Sequence, residues 1–138
     1  MNGAVLAGPA RVIDGLFHTR RMFGGALWSA WPFAAVARHY ADGFLDRFAA
    51  AVRVSEGFAH ALRDPFRVER ITGGSHLFYV RAAGVDLARL RERLAADGIH
   101  APEPIAQEAA PALLLGVNES WNRTTGAALA EAFQRALR

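Results

Sequence analysis

Apolar positions recur at helical spacing through residues 44–62, where Phe44, Leu45, Phe48, Val52, Phe58, Ala59 and Leu62, with Ser55 among them, make one wide stripe. The pattern predicts a long helix, stopped by Asp64-Pro65. After Pro65 the period changes. Residues 67–71 and 76–81 alternate as strands around Thr72-Gly73-Gly74. Asp86 is placed to cap a helix whose buried side is Leu87, Leu90 and Leu94, and Asp97-Gly98 ends it. Residues 99–104 are extended and Pro-rich, an edge or a loop. Leu113-Leu114-Leu115 with Val117 reads as a central strand. Thr124 or Thr125 opens a last helix with Leu129, Phe133 and Leu137 on one face, and Arg135 and Arg138 suit its C-terminal dipole.

The first forty residues are less regular. Residues 4–7 form a short apolar run closed by Gly8-Pro9, read as a buried strand. Residues 10–23 predict one helix with Val12, Leu16 and Met22 on its apolar side, stopped by Gly24-Gly25. Pro32 suits the first turn of another helix, with Ser29 as its cap, running to Tyr40, and Asp42-Gly43 breaks it from the long one. The fold class is therefore α/β, an α+β small domain. An antiparallel sheet of three or four strands carries the helices 86–96 and 125–137 on one face, and a long connecting helix precedes it. Residues 64–138 form the small domain and residues 1–63 read as pieces of something larger.

Composition narrows the chemistry. The 138 residues hold sixteen Arg, no Lys and no Cys. Disulfides, thiolate metal sites and a Cys nucleophile are thereby excluded from this chain. No basic-then-apolar leader is visible, and no apolar run reaches the roughly 18–20 residues of a membrane span. The expected setting is the cytoplasm. The net charge of only +3, with acids scattered among the Arg residues, argues against nucleic acid as a partner. Arg89-Leu90-Arg91-Glu92-Arg93 reads as a solvated helix face. His18, His39, His60, His76 and His100 have no ligand spacing, so no metal is expected, and no Gly-x-Ser-x-Gly is present. Asn118-Glu119-Ser120 and Asn122-Arg123-Thr124 match glycosylation sequons by chance.

One segment is more specific: Gly24-Gly25-Ala26-Leu27-Trp28-Ser29-Ala30-Trp31-Pro32-Phe33, preceded by Gly3-Ala4-Val5-Leu6-Ala7-Gly8-Pro9 and by Arg20-Arg21. It resembles the threonine aldolase / β-eliminating lyase family of pyridoxal-phosphate enzymes, on the aspartate-aminotransferase-like scaffold. The resemblance is specific in residues 3–33 and extends along the chain as an order of elements. It implies that residues 1–63 are a remnant of the large cofactor domain and residues 64–138 the C-terminal small domain. It implies amino-acid chemistry, retro-aldol cleavage or Cβ elimination. In the family the Schiff-base Lys lies just upstream of the Gly-Ala-Val-Leu-Ala-Gly-like strand, and here the chain begins at Met1-Asn2.

The same resemblance implies that the stacking His and the pyridinium acid belong to the upstream half. An Arg for the substrate carboxylate is expected in a late strand, which here reads Ala112-Leu113-Leu114-Leu115-Gly116. The Arg that follows the Gly-rich loop in the aldolases is replaced by Leu27 or Trp28. No catalytic residue is therefore assigned. Arg20, Arg21, Gly24 and Gly25 remain as residues near a cofactor, against the simpler reading of solvated charges and a helix stop. Trp28, Trp31 and Phe33 read as packing or interface residues. Pyridoxal phosphate is the cofactor of the intact family, with none bound stably by this chain alone. The expected partner is a second copy or an upstream N-terminal half chain. The alternative is a non-catalytic, degenerate interaction module.

Overall fold

The computed structural model describes residues 6–25, 31–73, 76–106 and 110–138. Two compact units divide at residue 43, Met1–Gly43 and Phe44–Arg138. The long helix that begins at Phe44 thus belongs to the second unit, with the segments that follow residue 63.

The first unit contains α1 (Ala10–Ile13), α2 (Leu16–Met22) and α3 (Trp31–Ala41), none with a buried residue. The single helix expected over residues 10–23 is broken at Asp14-Gly15. Gly15 has φ of 84°, a left-handed conformation that stops α1 and restarts the chain as α2. Leu6 and Ala7 have no regular structure, and the rest of the expected strand, Ala4 and Val5, lies outside the described residues. Pro32 is the second residue of α3, where its missing N–H costs no helical bond. The expected cap Ser29 lies outside the described residues.

The second unit begins with α4 (Phe44–Ala61) and continues β1 (Phe66–Arg70), β2 (Leu77–Ala82), α5 (Leu87–Ala96), β3 (Leu113–Gly116), a 3-10 turn (Glu119–Arg123) and α6 (Gly126–Arg135). The strands form one antiparallel sheet in the order β1-β2-β3. β2 is therefore central, and β3, expected in the middle, is an outer strand. Among the described residues, an isolated bridge, Ile105–Ala112, lies beyond β3. Strand order depends on pairing between distant segments, and an apolar run does not encode it.

Register sorts the side chains. Phe66, Val68 and Arg70 share one face with Phe78, Val80, Leu113 and Leu115. That face joins Leu87, Leu90 and Leu94 of α5, Ala130 and Phe133 of α6, and Ala51 and Phe58 of α4 in one core. Arg67, Glu69, Leu77, Tyr79, Arg81 and Leu114 fall on the other face, where Arg81 pairs with Glu69 at 2.8 Å and lies over the Tyr79 ring.

Aromatic rings bind the layers together. The Phe58 ring meets Trp121 at 5.5 Å and Phe133 at 5.1 Å, both edge to face, and Phe133 meets Phe66 at 5.7 Å. Trp121 is buried, and its Nε1 donates to the Gly116 carbonyl at 3.0 Å. Arg residues fasten the periphery. Arg47 bonds Glu119 at 2.8 Å, Arg91 reaches the Ala101 carbonyl and Glu103, and Arg93 donates to the Ala136 carbonyl. Of the helix face expected to be solvated, Arg89 and Glu92 are exposed, while Arg91 and Arg93 are half-buried and tie α5 to its neighbours. A guanidinium offers several donors in a planar fork, which lets Arg91 serve a carbonyl and a carboxylate together. The sequon residues are structural: Asn118 accepts from the Ser120 N–H, and the Asn122 side chain donates to the Arg47 carbonyl.

The expected cap of α5 is present. Asp86 accepts from the N–H groups of Ala88 and Arg89 at 3.0 and 3.1 Å. Replacing Asp86 by Ala should cost about 1 kcal/mol, because two donors at the helix start lose their partner. Urea denaturation should show the midpoint fall with an unchanged slope, and an unchanged midpoint would deny the cap its role.

Candidate functional site

Arg20 and Arg21 lie in the last turn of α2, and Gly24 and Gly25 follow its end. The two guanidinium carbons lie 5.7 and 5.6 Å from the centroid of the Phe17 ring, a cation–π arrangement on an exposed surface. Gly24 has φ of 78° and donates to the Arg21 carbonyl, and Gly25 donates to the Arg20 carbonyl at 2.9 Å. A Cβ at Gly25 would lie 2.6 Å from Cγ of Arg20. These four residues therefore close the C-terminal end of a helix. That end presents carbonyl oxygens and the negative pole of the dipole, whereas a phosphate is held at an N-terminus by N–H donors. The N–H groups of Gly24 and Gly25 are engaged with the Arg21 and Arg20 carbonyls, so this turn would meet a phosphate with the two guanidiniums and not with backbone donors.

The late strand, where the resemblance implies an Arg for the substrate carboxylate, carries none. Leu113 and Leu115 point into the core, and Leu114 is the residue β3 places on the opposite face, half-buried beside Tyr79. No guanidinium occupies that position. Leu27 and Trp28 lie outside the described residues. Trp31 and Phe33 are exposed, at 74% and 42%. Among the described residues no group of three or more His, Asp or Glu side chains could hold a metal ion, and no helix is long and apolar enough to cross a membrane.

A concavity that sequence reading did not single out lies between α4 and the ends of β1 and β2. Its lining includes Val52, Ser55 and Ala59 of α4, Val68 and Arg70 of β1, and His76. Two signals were present in the sequence. Arg70 continues the inward phase of Phe66 and Val68, and Ser55 and Ala59 set small side chains into the apolar stripe of α4. The Ser55 hydroxyl donates to the Val52 carbonyl at 2.8 Å, so this buried polar group is satisfied within its own helix. A hydroxyl so engaged, with no histidine bonded to it, is not arranged as a nucleophile. No protein-family model, curated protein sequence or solved structure matches this chain.

Proposed function

We propose that this chain is the C-terminal portion of a pyridoxal-phosphate-dependent lyase of the threonine aldolase type, acting on amino acids by retro-aldol cleavage or Cβ elimination. Its contribution is the small domain and an association surface. The observation that carries the reading is the order α4, β1, β2, α5, β3, α6 as one antiparallel sheet with helices on one face, downstream of the Gly3–Phe33 resemblance. With no Lys among these 138 residues, the Schiff-base amine must come from outside them.

The pure chain mixed with pyridoxal phosphate is therefore expected to give no stable internal-aldimine absorption and no acetaldehyde from threonine, since it offers no ε-amine. Adding a chain that carries a Ser-x-x-Lys-Gly-like segment, encoded immediately upstream, should produce both. Acetaldehyde released by the pure chain, or none from the pair, would defeat the reading.

The second reading is a non-catalytic interaction module, favoured by apolar surface left exposed. In the second unit, Phe44 and Leu45 begin α4 at 43% and 79% exposure, with Phe44 stacked on Phe48. In the first unit, α3 exposes Trp31, Phe33, Val36 and Tyr40. Large apolar side chains left exposed in either unit suit an interface. Static light scattering at micromolar concentration should report a mass above that of one chain, and Leu45→Glu should lower it. A monomer that binds no hydrophobic dye would remove the case for association through residues 28–62.

A further inference from the structure

Arg70 is a charged residue at a core-facing position. It stands opposite buried Phe78, two residues beyond Val68, on the side of the sheet that α4, α5 and α6 cover. An inward charge on an outer strand discourages edge-to-edge pairing. That explains the charge and leaves the adjacent space unexplained. A cavity of about 120 Å³ lies between Val52 and Ala59 of α4 and Val68 and Phe78 of the sheet, with Arg70 and His76 also on its lining. The concavity opens to solvent on the side where Arg70 stands.

The binding partner of Arg70 in the free chain is weak. Its guanidinium is 3.9 Å from the Glu56 carboxylate, and both side chains are largely exposed, at 70% and 48%. Such a pair contributes little and yields to a carboxylate held by two parallel hydrogen bonds.

We propose that this cavity binds a small branched aliphatic monocarboxylate, with the carboxylate on Arg70 and the alkyl body between α4 and β1. By the scale of a cavity of about 150 Å³ that holds benzene, the space has room for a body of about five carbon atoms, with its open side leaving the carboxylate at Arg70. A free amino acid fits less well, because its ammonium would lie beside the Arg70 guanidinium. The site is independent of the lyase reading, since every group it uses belongs to the second unit and none touches a cofactor.

The test is an amide NMR titration of the full chain with 4-methylpentanoate, with 4-methylpentan-1-ol and with acetate. The acid should give saturable shifts at Val52, Ser55, Ala59, Val68 and Phe78. The alcohol has the same body without the charge and should bind about tenfold or more weakly, because a charge-assisted hydrogen bond is lost. Acetate, with the charge and no body, should shift none of these amides. Arg70→Gln should bring the acid down to the level of the alcohol, and Ala59→Leu should fill the space and abolish both. Equal binding of acid and alcohol, the same shifts with acetate, no shifts at millimolar acid, or an Arg70→Gln variant that binds normally would each overturn the proposal. Arg70 is exposed enough that its replacement leaves the fold intact, so the test does not depend on the Ala59 variant.

Discussion

Gly126→Ala should strip the second unit of a large part of its stability. Gly126 is buried at the first position of α6, pressed against α4. A Cβ there would lie 2.3 Å from the Phe58 nitrogen, 2.5 Å from the Val54 carbonyl oxygen and 2.6 Å from the Gly57 carbonyl carbon. All three are backbone atoms, so no side chain can rotate to make room. Relief requires α6 to move away from α4, which opens the contacts of Phe58 with Phe133 and Trp121. Overpacking of this kind costs about 3 kcal/mol or more. A domain of this size is held by about 5–15 kcal/mol in all, and each kcal/mol shifts its Tm by about 4–8 °C. Thermal unfolding followed by circular dichroism should show Tm lowered by at least about 12 °C.

Gly57 supplies the internal control. It lies one turn before the C-terminal end of α4 and faces the same crossing, yet a Cβ there would be 3.8 Å from Cα of Gly126, an ordinary contact. Gly57→Ala should therefore be neutral or stabilising by up to about 1 kcal/mol, from helix propensity alone. Equal destabilisation by both substitutions would show that the close approach at Gly126 is not what sets the helix spacing.

The two glycines show where sequence reading stops. Gly57 looks like a flaw in a helix, and Gly126 looks like an ordinary residue after a Thr cap. Only the crossing of two helices far apart in sequence distinguishes them. What depends on local pattern was readable. The stripe of α4, the alternation of β2, the Asp86 cap and the apolar sides of α5 and α6 each follow from residues within a few positions of one another. The central position of β2, the carbonyl-binding roles of Arg91 and Arg93 and the space beside Arg70 depend on pairing across the fold. Gly15 is an intermediate case. The period of Val12, Leu16 and Met22 runs on across it, and a left-handed glycine interrupts the backbone without disturbing that period. Of the residues placed near a cofactor, Arg20, Arg21, Gly24 and Gly25 sit together at the C-terminal end of α2.

Phe58→Ala should be the most damaging of the large-to-small changes. Phe58 is fully buried in α4, and its ring touches both Trp121 and Phe133 edge to face. Phe133 in turn meets Phe66 of β1 and Trp121 lies near Phe78 of β2, so the ring links α4 to the sheet through two neighbours. Truncation removes the transfer free energy of the ring and leaves a cavity whose walls are held by other contacts. Trp121 is fixed by its bond to the Gly116 carbonyl, and Gly126 keeps α6 against α4, so collapse into the space is limited. The expected loss is about 3–5 kcal/mol. Phe58→Leu keeps most of the volume and should cost roughly half of that. In urea the midpoint should fall in that order with the slope unchanged, and near- and far-ultraviolet circular dichroism should report the same midpoint. A Phe58→Ala protein that unfolds within about 1 kcal/mol of the native chain would mean that the cluster is not the centre of the fold and that α4 is held chiefly by Arg47, Glu119 and Asn122 at its N-terminal end.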